Sequence, residues 1–166
     1  NLPKAKEAFI KALQLDRENL AALYYLAEIN EVEKDFKLAI NNYKKVVTLN
    51  INPQKALFAL LRLSKHKEFN PEISEFLKKK AAKTNNEDII MILAEVYIKE
   101  PNIEAAISLL EEKVDKMPTN VKLFDHLAKV YLQAGNHDKA ILITDKLTKL
   151  DADPTKIYLS KAFIYE

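Results

Sequence analysis

The side chains that could carry out acid–base or metal chemistry are few and far apart. Histidine occurs at His66, His126 and His137, and the chain of 166 residues contains no cysteine. Asp125 precedes His126, but adjacent residues of a helix do not face each other, so we expect His126 to lie alone on an exposed helix face. No His-x-x-x-His pair and no Asp-rich calcium loop occurs. The sequence therefore predicts no catalytic centre and no metal site.

The composition excludes several other kinds of site. A single glycine, Gly135, cannot form a glycine-rich phosphate loop, so we expect no nucleotide and no other cofactor. The 26 basic residues nearly balance the 24 acidic ones, and the net charge of +2 favours neither nucleic acid nor an anionic membrane. Stretches without charge, such as 19–27, are about half as long as a membrane-spanning helix, so no membrane insertion is expected. The lack of cysteine is compatible with the cytoplasm and with the periplasm.

Three short segments with a shared pattern indicate how the chain is organised. Leu-Ala begins each of the segments 26–29, 93–97 and 127–131. Each of these alanines is followed, at one constant spacing, by a second alanine and an isoleucine, the second alanines being Ala39, Ala106 and Ala140. Apolar residues between these markers recur every three or four positions, which predicts amphipathic helices of about 13 residues. Helices this short are marginal alone, so they must stack on their neighbours.

This pattern resembles the tetratricopeptide repeat, in which each unit of about 34 residues is a pair of helices. The resemblance covers the whole chain and implies an all-α, right-handed superhelical solenoid of antiparallel helix pairs, with about ten helices. The implied full repeats are 20–53, 54–86, 87–120 and 121–154, with a second helix alone at 1–19 and a first helix alone at 155–166. The repeat 54–86 departs from the pattern, since Leu61 and Ile73 occupy its two alanine positions.

The resemblance also implies a binding surface, because the first helices of this family line a concave groove that holds a partner. The groove residues implied here are Tyr24, Tyr25, Glu28, Lys55, Phe58, Arg62, Met91, Glu95, Asp125, His126 and Lys129. Aromatic residues and arginine on an accessible face are typical of binding hot spots. The residues leave a second interpretation open, in which Tyr24, Phe58 and Met91 fill gaps between neighbouring first helices.

The function implied by the resemblance is that of a non-catalytic protein–protein interaction scaffold, which binds a peptide or helix of a partner protein. The abundance of Lys, Asn and Ile indicates a bacterial source, where such arrays serve envelope, secretion or complex-assembly systems. One alternative is a regulatory or substrate-recruiting module of a larger enzyme. The second alternative is a helical-repeat RNA binder. The acidic residues Glu28, Glu95 and Asp125 on the implied inner face disfavour nucleic acid as the partner.

The two ends of the chain lead to a separate expectation. The sequence begins with Asn1 and ends within an apolar pattern, so we expect a fragment of a longer tetratricopeptide repeat protein, with any anchor or signal outside it. The half repeats at the two ends predict head-to-tail self-association, in which the last helix of one molecule completes the first half repeat of another.

Overall fold

The computed structural model describes residues 1–49 and 51–150, together with 153 and 155. This part of the chain forms nine α-helices and no β-strand. The helices are α1 (Leu2–Leu15), α2 (Leu20–Val32), α3 (Phe36–Leu49), α4 (Gln54–Leu63), α5 (Asn70–Lys83), α6 (Glu87–Lys99), α7 (Ile103–Lys116), α8 (Val121–Gln133) and α9 (His137–Lys149). Apart from residue 155, the predicted last half repeat 155–166 lies outside the described residues. Its proposed role in self-association therefore stays a prediction.

Asparagine fixes the start of most of these helices. The first turn of a helix leaves backbone N–H groups without partners, and a side-chain oxygen at the preceding position can accept from one of them. The side chain of such an asparagine accepts a hydrogen bond from the backbone N–H of the third residue after it at Asn19, Asn86, Asn102, Asn120 and Asn136. These caps set the phase of each helix and hence the face that it buries.

The turn between two helices of a pair recurs with the same backbone geometry. Lys34 and Gly135 both adopt a left-handed conformation, with φ of 63° and 72°. The next residue after each closes the turn, since Asp35 N donates to Asn30 O and Asn136 N donates to Tyr131 O, both at 2.8 Å. Glycine adopts this conformation without steric cost, whereas lysine does not. The single glycine is therefore used where the turn requires it.

Small residues lie where paired helices approach each other. The first alanines of the repeated pattern, Ala27, Ala94 and Ala128, are at most 4% exposed. The second set, Ala39, Ala106 and Ala140, is fully buried. In the divergent repeat, Ile73 is also fully buried, but Leu61 is only half-buried. A leucine is too large for the space that alanine occupies in the other pairs, which accounts for its partial exposure.

The chain divides into two compact units, the first spanning Asn1–Lys79 and the second beginning at Lys80. In the first unit α2 packs against α1 and α3, and α3 also contacts α4. In the second unit α7 packs against α6 and α8, and α8 pairs with α9. The helix pairs α2–α3, α6–α7 and α8–α9 fall within the predicted repeats 20–53, 87–120 and 121–154. The repeat bounds themselves stay a prediction.

Candidate functional site

An aromatic cluster joins the first three helices of the first unit. Tyr24 and Tyr25 come from α2, and their rings meet edge to face with centroids 5.8 Å apart. Phe9 of α1 stacks on Tyr25 at 5.5 Å, and Tyr43 of α3 meets Tyr24 at 5.8 Å. Edge-to-face and offset-stacked contacts of this kind are the favoured aromatic geometries. The cluster therefore holds Tyr24 and Tyr25 in fixed positions on α2.

A carboxylate that the sequence analysis did not single out organises the polar part of this surface. Glu31, on α2, accepts two hydrogen bonds from Arg62 of α4, from Nε at 2.9 Å and from Nη2 at 2.8 Å. The hydroxyl of the buried Tyr43 donates to the same carboxylate at 3.0 Å. The hydrogen bond to Glu31 raises the pKa of Arg62, although burial opposes it. Burial is the main cause that raises the pKa of Tyr43, and the negative charge of Glu31 adds to it.

Two aromatic side chains of this surface stay accessible. Phe58 is 61% exposed and Tyr25 is 49% exposed. Phe58 and Arg62 are one helical turn apart on α4 and therefore share a face. Tyr24 is half-buried, and its pKa is raised first by burial and then by its hydrogen bond with Glu28. Tyr24 thus packs within the fold, whereas Phe58 faces solvent.

The charged residues predicted for this part of the groove are also accessible. Glu28 of α2 and Lys55 of α4 are both exposed. The first unit therefore contains six of the predicted groove residues on α2 and α4, namely Tyr24, Tyr25, Glu28, Lys55, Phe58 and Arg62. These residues include both aromatic groups and charges of either sign, on two helices that the Arg62–Glu31 pair links.

The other predicted groove residues lie on α6 and α8 of the second unit. Met91 and Glu95 come from α6 and are half-buried. Asp125 does not pair with His126, because its Oδ2 accepts from Lys129 Nζ at 2.6 Å. Both members of that ion pair are on α8, one turn apart.

The exposed position predicted for His126 is wrong. Its side chain is only 15% exposed, because it packs towards α6 with Nε2 3.5 Å from Glu95 Oε1. Burial lowers the pKa of His126, and the negative charge of Glu95 opposes this shift. The His126 side chain is therefore a packing element between α6 and α8, with Glu95 as its neighbour on α6.

Neither a metal cluster nor a membrane-spanning helix occurs in the part of the chain that the structure describes. The described residues contain no group of three or more His, Asp and Glu side chains placed to hold a metal ion. None of the helices within these residues has the length and apolar character to cross a membrane.

Comparison with known proteins identifies the family. The tetratricopeptide repeat family matches residues 98–162 of the chain. A tetratricopeptide repeat protein from Parabacteroides merdae matches 98% of the chain in structure, with a TM-score of 0.57 and 17% sequence identity. Residues 98–162 belong to the tetratricopeptide repeat family. The predicted family is thus confirmed for this segment, and the predicted all-α solenoid class is confirmed by the fold similarity.

Other solved structures share the fold of this chain at low sequence identity. YrrB, described as "a TPR protein with an unusual peptide-binding site", has a TM-score of 0.52 and 19% identity over 96% of this chain and 83% of its own. PilW, described as a "widely conserved type IV pilus biogenesis factor", has a TM-score of 0.59 and 18% identity over 98% of this chain and 76% of its own. No curated protein sequence matches the chain. The chain spans 64% of the length of the Parabacteroides merdae protein.

Proposed function

We propose that this protein is a non-catalytic scaffold that binds an extended segment or helix of a partner protein on the α2–α4 surface, defined as Tyr24, Tyr25, Glu28, Lys55, Phe58 and Arg62. The tetratricopeptide fold is typically a non-catalytic interaction module that binds proteins or peptides, which supports the general class. The single observation that carries the proposal is the 61% exposure of Phe58, one turn from Arg62. An exposed phenylalanine next to an arginine is the combination expected of a binding hot spot.

The Arg62–Glu31 pair prepares this surface for a peptide. A guanidinium has five N–H donors, and Glu31 accepts from Nε and Nη2. The Arg62 side chain is still 56% exposed, so its remaining donors can reach a peptide carbonyl or carboxylate. Because Glu31 already fixes the side chain, little rotamer entropy is left to lose on binding.

The second unit carries predicted groove residues of its own, which we propose as a separate contact surface. Met91 and Lys129 offer an apolar side chain and a cation on α6 and α8, with Glu95, Asp125 and His126 beside them. The mixture of acidic and basic residues favours a peptide over nucleic acid, whose phosphates would be repelled by the carboxylates. YrrB, described as a TPR protein with a peptide-binding site, supports a peptide ligand by analogy of fold alone.

The biological setting that we propose is a bacterial envelope, secretion or complex-assembly system. PilW, described as a type IV pilus biogenesis factor, shares the fold and supports this setting by analogy. A regulatory or substrate-recruiting module of a larger enzyme would use the same surface. The identity of the recovered partner separates these two settings.

The test is an affinity pull-down from cells of the source organism, quantified by mass spectrometry. The double variant Phe58→Ala, Arg62→Ala should lose the main protein partner by about tenfold or more, since both side chains are proposed hot spots. The matched control, Val32→Ala with Lys37→Ala, also removes one exposed apolar side chain and one exposed cation. If the control loses the partner as strongly as the double variant, or neither loses it, the α2–α4 surface is not the binding site.

A further inference from the structure

Two clefts occupy equivalent places in the two units of the chain. The first cleft, about 500 Å³ in volume, is lined by α1, α2 and α3, with Leu13, Leu26, Asn30 and Asn42 among its residues. The second cleft, about 300 Å³, is lined by α7, α8 and α9. The residues equivalent to those four, three repeats further along the chain, also line it, namely Val114, Leu127, Tyr131 and Ile143. The two clefts are therefore the same structural position in two copies of the repeat.

Tyrosine occupies part of the second cleft, which is the smaller of the two. Tyr131 is 3% exposed, and its hydroxyl donates a hydrogen bond to Glu111 of α7. Lys139 of α9 places its Nζ 5.2 Å from the centre of the Tyr131 ring. A tyrosine also occurs at Tyr97, one repeat earlier. In the second cleft, the ring of Tyr131 is thus anchored between apolar side chains, a carboxylate and an ammonium group.

Asparagine leaves the corresponding space of the first cleft open. Asn30, which is 2% exposed, occupies the position of Tyr131 with a much smaller side chain. Its Oδ1 accepts no hydrogen bond from the described part of the protein. A buried polar atom without a partner costs free energy, and such atoms in native proteins require an explanation. Ile10 and Leu38, at the mouth of the same cleft, remain 41% and 50% exposed.

The charges around the two clefts differ. The first cleft is lined by the cations Lys6, Arg17 and Lys45, and no acidic side chain of the described residues lines it. Lys6 is paired with Glu33 at 2.5 Å, so Arg17 and Lys45 supply the positive charge that is left. The second cleft has acidic and basic residues together, at Glu111, Asp115, Lys139 and Lys146. A ligand of the first cleft should therefore carry carboxylates.

We propose that the first cleft is a second binding site, separate from the α2–α4 surface, for an acidic peptide segment that inserts an aromatic side chain. The inserted ring takes the place that Tyr131 has in the second cleft. Carboxylates of the peptide pair with Arg17 and Lys45 at the rim. A hydroxyl or N–H group of the segment can donate to Asn30 Oδ1, which would then gain the partner that it lacks.

The test uses fluorescence anisotropy with a fluorescein-labelled peptide, Glu-Asp-Glu-Leu-Tyr-Leu-Glu-Asp-Glu. The variant Asn30→Tyr should weaken its binding by about tenfold or more, because the new ring takes the space proposed for the ring of the peptide. Lys45→Glu should weaken binding to a similar degree, and because Lys45 is exposed we expect this variant to fold like the parent. Lys37→Glu, on the same helix but outside the cleft, should leave the affinity unchanged within about twofold. A peptide with alanine in place of tyrosine should bind weakly to the parent protein.

A second readout locates the peptide. The side-chain amide signals of Asn30 should shift in the NMR spectrum on addition of the tyrosine peptide and not of the alanine peptide. No measurable binding to the parent, equal binding to Asn30→Tyr and Lys45→Glu, or preferred binding of a labelled oligouridylate would each overturn the proposal. Because Asn30 lies outside the α2–α4 surface, the partner of that surface should still bind Asn30→Tyr, which separates this proposal from the proposed function.

Discussion

At the scale of single residues, side chains at equivalent positions of the repeat differ in what they do. Asparagine at Asn30 and tyrosine at Tyr131 have equivalent places, yet the cleft at Asn30 has a volume of about 500 Å³ and the cleft at Tyr131 one of about 300 Å³. Lysine at Lys34 and glycine at Gly135 likewise share one left-handed turn position. The backbone is repeated more faithfully than the side chains, so differences in stability and binding arise where the side chain changes.

The shared turn predicts that substitutions at Gly135 and Lys34 change the free energy of unfolding in opposite directions. Gly135→Ala should lower the free energy of unfolding by about 1 kcal/mol, because alanine is strained at φ of 72° even though no atom lies within 4 Å of the new Cβ. Lys34→Gly should raise it by several tenths of a kcal/mol, or at least not lower it, since it removes strain. Urea unfolding measures both changes.

A helical control shows that the sign comes from the turn. Lys45→Gly, at an exposed position in the interior of α3, should be destabilising by about 1 kcal/mol, since glycine is unfavourable within a helix. If Lys34→Gly is as destabilising as Lys45→Gly, the left-handed turn at Lys34 is incorrect.

At the scale of helices, side chains link equivalent ends of successive pairs. Asn120 caps α8 by accepting from Leu123 N at 3.1 Å, and its amide donates to Glu87, at the start of α6, at 2.7 Å. Lys122 also donates to Glu87. These hydrogen bonds lower the pKa of Glu87, with that from Lys122 as the largest cause. One asparagine thus starts a helix and fixes it against another.

This arrangement predicts a pH-dependent effect. A carboxyl group whose folded pKa is lowered stabilises the fold above its unfolded pKa, and the contribution is lost as pH falls through the folded pKa. Glu87→Gln should therefore be destabilising at pH 7 and have much less effect near pH 3. Asn120→Ala should cost about 1 kcal/mol at pH 7 through the lost cap. Thermal unfolding at both pH values measures these effects, and a Glu87→Gln effect that is equal at the two pH values would contradict the ion pair.

Periodicity could predict the helices but not every contact between them. The recurring alanines, from Ala27 to Ala140, place the helix pairs in sequence, because close helix packing requires a small side chain at fixed intervals. Glu31 could not be recognised as the partner of Arg62, since their contact depends on the distance between α2 and α4 and on the rotamers of both. The burial of His126 beside Glu95 was missed for the same reason. Asn30 did carry a sequence signal, because it replaces the tyrosine found at Tyr97 and Tyr131.

At the scale of the whole molecule, the chain combines a repeated framework with unequal surfaces. The tetratricopeptide repeat match covers residues 98–162, and the fold similarity extends over nearly the whole chain. Among the predicted groove residues, the exposed aromatic side chains Tyr25 and Phe58 belong to the first unit, whereas the second unit presents half-buried Met91 and His126 at related positions. Since a fold of this kind hosts many functions, the partner is determined by these surface differences and not by the framework.

Photo-crosslinking from Phe58 tests the central claim most directly. A protein with p-benzoylphenylalanine in place of Phe58 is irradiated in cells of the source organism, next to a matched protein with the same amino acid in place of Val32, which is 69% exposed on α2. Our account predicts one main protein crosslink from position 58 that is absent from position 32 and is lost when Arg62→Ala is added. The same products from both positions, or crosslinks to RNA alone from position 58, would contradict it.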